Sequence, residues 1–182
     1  MASLYDKLKK EMTAAGIKPR TAASKAWLQS KMRLLKIPKN RGSLLNDPHR
    51  ATGTAIIGRM FFYHYDPKWK KVLPVYDRFP LVLPMEMYPD GFLGLNLHYI
   101  DPYSRLYLLD LLHDVITNTK YNDKTRFKLS YGILNSSQKY AFTKVCIKRY
   151  LFSHIKSSMV YIEPDSWETA IFLPSAQMVY KQ

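Results

Sequence analysis

GRMFFYHYDPKWKKVLPVYDRFPLVLPMEMYPDGFLGLNLHY, residues 58–99, decides how the rest of this chain is read. Tyr63, Tyr65, Trp69, Tyr76, Phe79, Tyr88, Phe92 and Tyr99 supply large amphipathic surfaces. Pro67, Pro74, Pro80, Pro84 and Pro89 fix φ and limit how far any strand can pair. The stretch predicts a rigid antiparallel β platform made of two hairpins. In the first, Ala55 to Tyr65 turns at Asp66-Pro67 and returns as Lys71 to Tyr76. In the second, Phe79 to Met87 pairs with Phe92 to Tyr99 across Tyr88-Pro89-Asp90-Gly91, whose Pro and Gly positions fit a type I turn. Gly94 within the returning strand marks a bulge or a close backbone approach.

Before this platform lies a basic segment. Leu4, Leu8 and Met12 recur every four residues and predict a helix ending near Gly16. A second helix starts at Thr21 or Ala22, carries Leu28, Met32 and Leu35 with Trp27 beside them, and is stopped by Pro38. A turn-rich linker then runs to Gly53. This divides the chain into a basic helical arm and linker, 1–53, and a core, 54–182.

Beyond the platform, Asp101-Pro102 predicts a helix to about Asn118 that is apolar on most sides, with Asp110, His113 and Asp114 as its narrow polar face. Thr125 to Tyr131 and Met159 to Ile162 read as short strands, and Ser136 to Ile155 as a helix apolar nearly all round. Pro164 to Glu168 reads as a helix start, ended by Pro174. The fold class is therefore α+β: a helical basic arm, a small antiparallel β platform, and C-terminal helices packed on it.

Charge points to the partner class. Twenty-eight Lys and Arg against fourteen Asp and Glu give a formal net charge of +14, which favours acidic partners such as nucleic acid or acidic protein surfaces. Residues 1–50 hold twelve bases and three acids, a net of +9, and residues 51–182 hold sixteen and eleven, a net of +5. Lys7, Lys9, Lys10, Lys31, Arg33, Lys36 and Arg41 are the arm's candidate contacts, with three readings open: DNA backbone, an acidic protein neighbour, or solubility. A second patch, Lys144, Lys148, Arg149 and Tyr150, interleaves bases with aromatics in the manner of surfaces that stack on single strands or DNA ends.

Reaction chemistry is not legible. His98, Asp101, Asp110, His113 and Asp114 form the one cluster of metal-ligating residue types, and a solvated stripe with a helix cap explains it better than a metal site. There is no H-E-x-x-H, no G-x-S-x-G and no phosphate-cradling glycine loop. The single cysteine, Cys146, excludes an intrachain disulfide and lies in apolar surroundings that suit a buried structural thiol. No stretch has the apolar length of a membrane span or a secretory signal. The expectation is a non-enzyme with no cofactor, no metal, no membrane partner and no small-molecule substrate.

Five segments together, GRMFFYHYDPK (58–68), LPVYDRFPLVLPME (73–86), DGFLGLNLHYI (90–100), KVCIKRYLFSHI (144–155) and SWETAIFLP (166–174), resemble a small basic virion protein of contractile-tailed bacteriophages. Members of that group are described as DNA end protectors or as baseplate-associated structural proteins. The resemblance implies a structural component of the tail, baseplate or head-to-tail region, held by other virion proteins in a symmetric assembly. Its alternative is a DNA-binding protein that protects the ends of packaged phage DNA. Either would reside in the virion after assembly in the host cytoplasm. It transfers no catalytic residues.

Overall fold

The structure, a computed structural model, describes residues 4–18, 21–34, 42, 45–46, 48–137, 144–167 and 177–181. Helices α1 (Leu4–Ala14), α2 (Ala22–Leu34), α3 (Pro102–Thr117) and α4 (Asp123–Ser137) accompany eight strands. These are β1 (Ala51–Thr52), β2 (Met60–Phe62), β3 (Val75–Asp77), β4 (Leu81–Tyr88), β5 (Gly91–Asn96), β6 (Ile147–Leu151), β7 (Met159–Ile162) and β8 (Met178–Tyr180). The class is α+β with antiparallel sheets.

Each helix is delimited by side chains that the sequence displays. α1 ends in a left-handed glycine: Gly16 has φ 64°, its amide donates to Thr13, and the Ile17 amide donates back to Met12. Thr21 and Ser24 cap α2 reciprocally, each side-chain oxygen accepting the other's backbone N–H at 3.0–3.1 Å. Asp101 caps α3 by accepting from the Ser104 amide, and Pro102 fills its first position, where no donor is needed. Asn122 caps α4 by accepting from the Thr125 amide. That cap starts a helix where the sequence suggested a strand over Thr125 to Tyr131, and burial of Ser130 and Leu134 on one face holds it.

The main sheet has the order β1-β7-β2-β4-β5-β6. β4 and β5 form a hairpin with Tyr88 opposite Gly91 and Leu83 opposite Leu95, interrupted by a register shift between Pro84 and Glu86. The other hairpin inferred from sequence is absent. β2 pairs with β4 and β7, whereas β3 pairs with β8 in a separate two-stranded sheet. The physical reason is burial: Met60, Phe61 and Phe62 are all inaccessible and need apolar strands on both sides, which the half-exposed, proline-flanked β3 does not offer.

Residues 147–151 form β6, so the helix inferred from Ser136 to Ile155 is also corrected over that stretch; residues 138–143 lie outside the described residues. A run apolar on every side fits a strand covered on both faces as well as it fits a buried helix. The choice is enforced by β5, where a Cβ on Gly91 would sit 1.9 Å from the Tyr150 carbonyl oxygen and one on Gly94 2.3 Å from Val82. Both glycines let neighbouring chain approach closely.

The sheet closes on itself. Past β6 the chain bonds to the continuation of β2, with the Asp66 amide donating to the His154 carbonyl and the Lys156 amide to that of His64. Inside this ring lies an aromatic cluster of Phe61, Tyr63, Tyr65, Phe92 and Tyr150, mostly in edge-on contacts 5.0–6.3 Å apart. The opposite face carries a second core, in which Leu81, Leu83, Leu95 and Ile162 meet Leu106, Leu109 and Leu112 of α3. Leu8 of α1 belongs to that core too, and Trp27 of α2 packs against it.

Candidate nucleic-acid interface

The predicted cations have divergent fates. On α1, Lys7 and Lys10 are exposed. Lys9 turns inward and is bonded to Asp110 of α3, with Asp6 3.8 Å away and its ammonium 5.4 Å from the Tyr107 ring. Burial pulls its pKa down, but the hydrogen bond and charge of Asp110 outweigh that and move it up. Lys31 donates to Glu11 at 2.7 Å and lies 5.2 Å from the Trp27 ring, tying α2 to α1. Two of the arm's candidates therefore fasten helices together. The Arg33 side chain, Lys36 and Arg41 lie outside the described residues.

Asp110 is thus an ion-pair partner rather than part of a solvated stripe, while Asp114 is exposed. Among the described side chains of α3, the large apolar ones that are exposed are Tyr107 and Leu111. His98 does not join these acids; it is bonded to Asp77. Among the described residues, no three His, Cys, Asp or Glu side chains converge to hold a metal ion, and no helix is long and apolar enough to cross a membrane.

In the second patch, Lys144 is exposed, Lys148 lies 4.7 Å over the Tyr99 ring, and Arg149 is bonded to Asp90 with its guanidinium 4.2 Å over Tyr88. Tyr150 is corrected. It is buried in the aromatic cluster, its hydroxyl accepts from Asn96 at 3.0 Å, and no base can stack on it without opening the sheet. Alternation along β6 turns Tyr150 inward and Arg149 outward, a distinction that a helical reading erases.

Beside Tyr150 sits a buried polar network. The Asp77 carboxylate accepts from His98 Nδ1 at 2.5 Å, Asn96 Nδ2 at 3.2 Å, and the backbone amides of Phe79 and Gln177 at 3.0 and 3.3 Å. Burial pushes the Asp77 pKa up, yet the His98 contact and the other donors bring it below its ordinary value. Burial lowers that of His98 against the pull of Asp77. With side chains only 1–2% exposed, the pair is positioned to join β3, β5 and the segment before β8, not to meet a substrate. Cys146 is likewise inert: it is fully buried and burial pushes its thiol pKa up to about 11.

Among the described residues, an exposed cationic and aromatic segment lies where the sequence suggested the turn of the first hairpin and the start of its returning strand, Lys71 to Tyr76. Residues 67–73 form a looped turn in which Lys68, Trp69, Lys70, Lys71 and Val72 are all exposed. The run K-W-K-K after Asp66-Pro67 was its visible signal. A further opening of about 410 Å³ beneath α4 is lined by Arg59, Arg126, Tyr161 and Trp167. The formal charge of +14 favours acidic partners, and the single cysteine is buried.

Comparison with known proteins agrees with that chemistry. Neither the curated proteins nor the solved structures include a match to this chain. A family match spans residues 2–182, nearly the whole sequence. The chain belongs to the family of the phage T4 terminal DNA protecting protein.

Proposed function

We propose that this protein binds the ends of linear phage DNA and shields them without chemistry of its own. The observation that carries the reading is the family match across residues 2–182. The formal charge of +14 supports it, since phosphate neutralisation gives sequence-independent affinity. The same match favours end protection over the tail or baseplate role that the resemblance put first. Protection needs only occupancy: a bound protein that covers the terminal nucleotides denies them to an exonuclease. Among the described residues of the two patches, Lys7, Lys10, Lys144 and Arg149 are exposed, and Lys7, Lys10 and Lys144 are assigned here to duplex phosphates. Residence in the virion, alongside other particle proteins, follows from a role on packaged ends.

The test compares linear and covalently closed DNA of one sequence. The protein should protect the linear form from an added exonuclease in proportion to end occupancy, and its affinity should fall with salt by about 0.9 log units per log unit for each phosphate contact. Degradation at the unprotected rate under saturating protein refutes the proposal.

A further inference from the structure

Building on end binding, we propose that Trp69 stacks on the exposed face of the terminal base pair, with Lys68 and Lys71 on the adjoining phosphates. A basic surface alone cannot tell an end from the interior of a duplex, because phosphates are the same along both. What an end uniquely presents is an unstacked base face. A side chain that reads it must be flat, polarizable, exposed and held beside cations.

Trp69 meets each requirement. It is 63% exposed, and neighbouring Val72 is exposed to the same extent. Trp27 is instead partly packed on the core and Trp167 is buried, donating its indole N–H to Ile162. The loop is ordered from within: the Lys70 amide donates to Pro67, and the amides of Val72 and Leu73 both donate to the Trp69 carbonyl. Its root is pinned by the Asp66 amide on His154. The ring is therefore held outward by a fixed backbone, which lowers the entropic cost of stacking.

The charge fits the same ligand. Lys68 places its ammonium 5.4 Å from the Trp69 ring centroid, so ring and cation are adjacent as base and phosphate are adjacent in a nucleotide. Asp66, the one acid between residues 64 and 73, is already bonded to Lys70 at 2.8 Å. Among the described residues, neither Lys68 nor Lys71 has an ion-pair partner. Lys156, exposed on the neighbouring segment, extends the positive field toward the duplex and helps hold the Asp66 pKa down, after the Lys70 hydrogen bond.

The experiment uses the full chain with Trp69→Ala, Trp69→Phe and Lys71→Ala, on blunt linear duplex and on a closed circle of the same sequence. Trp69→Ala should lower affinity for ends about five- to a hundredfold, leave affinity for the circle and the thermal midpoint unchanged, and abolish the quenching of tryptophan fluorescence by blunt duplex. Trp69→Phe should recover most of the end preference. Lys71→Ala should reduce the salt slope by about 0.9 on linear DNA. If the wild type protects ends and Trp69→Ala protects them equally, the stacking role is overturned and the end-binding function stands. If the wild type shows no preference for ends over circle, both fall. Normal end binding by Trp69→Ala with loss from assembled particles would also overturn it and make the loop a protein contact.

Discussion

Replacing Asp77 with Ala removes the acceptor on which three parts of the molecule converge. Four donors lose it: His98 Nδ1, the Asn96 amide, and the backbone N–H groups of Phe79 and Gln177. Asn96 keeps the Tyr150 hydroxyl, so its loss is partial. Each buried donor left unsatisfied costs about 1–3 kcal/mol, and partial relaxation brings the total to about 3–5 kcal/mol, typical of breaking a buried charged pair. That is a large fraction of the roughly 5–15 kcal/mol that holds a domain of this kind. Urea unfolding followed by tryptophan fluorescence measures it. A Asp77→Ala variant within about 1 kcal/mol of wild type, at an unchanged m value, would refute the assignment of this network as the fastening between β3, β5 and the start of β8. The wild-type pH profile gives an independent check. Because the folded pKa of His98 lies below 6.5, the unfolded chain binds the extra proton first, so stability is full above that pH and declines as the solution is acidified through it. Asp77, whose folded pKa lies below 3.8, adds a second decline below that value, and this one should be absent in Asp77→Ala.

Three further outcomes are expected. Gly91→Ala must displace the Tyr150 carbonyl or the hairpin itself, since its Cβ would lie 1.9 Å from that oxygen; a loss of about 2–4 kcal/mol in chemical denaturation is expected, and a neutral result would argue against the β5–β6 pairing. Lys9→Glu should destabilise by about 1–2 kcal/mol through repulsion of Asp110, and the added Asp110→Lys exchange should restore most of it; a double mutant as unstable as the single would show that the pair does not hold α1 on α3. Cys146 should resist alkylation at pH 8 in the folded protein and react at once in denaturant, and rapid labelling of the native state would contradict its burial.

What could be read from the sequence was whatever is encoded within a few residues. The Leu4, Leu8, Met12 spacing with Gly16, the Asp101-Pro102 start of α3, and the turn between β4 and β5 all declare themselves locally. Partners distant in sequence were not legible. Nothing in Val75-Tyr76-Asp77 announces that it pairs with residues 178–180, and nothing in Met60-Phe61-Phe62 says that its neighbours are β4 and β7. The stretch around β6 misled because burial on both faces removes the alternation that separates a strand from a helix, and over α4 the Asn122 cap that starts the helix went unread. Among candidate contacts, charge was visible but its destination was not. Lys9 and Lys31 are spent on Asp110 and Glu11, acids far from them in sequence or on another helix, while Trp69, which falls between the two strands expected for the first hairpin, stands exposed in a loop.

The pairing of β2 with β7 also sets a clock on synthesis. Phe62 lies opposite Val160, and Met60 opposite Ile162, so a strand made early waits for one made about a hundred residues later. At roughly 5–20 residues per second, the apolar run Met60-Phe61-Phe62 is left without its second partner for about 5–20 s after it emerges from the ribosome. During that interval its unpaired edge is open to cross-association, and a pairing between strands about a hundred residues apart closes slowly once the partner arrives. Yield in a producing cell should therefore respond more to temperature and chaperone supply than the stability of the finished protein would suggest.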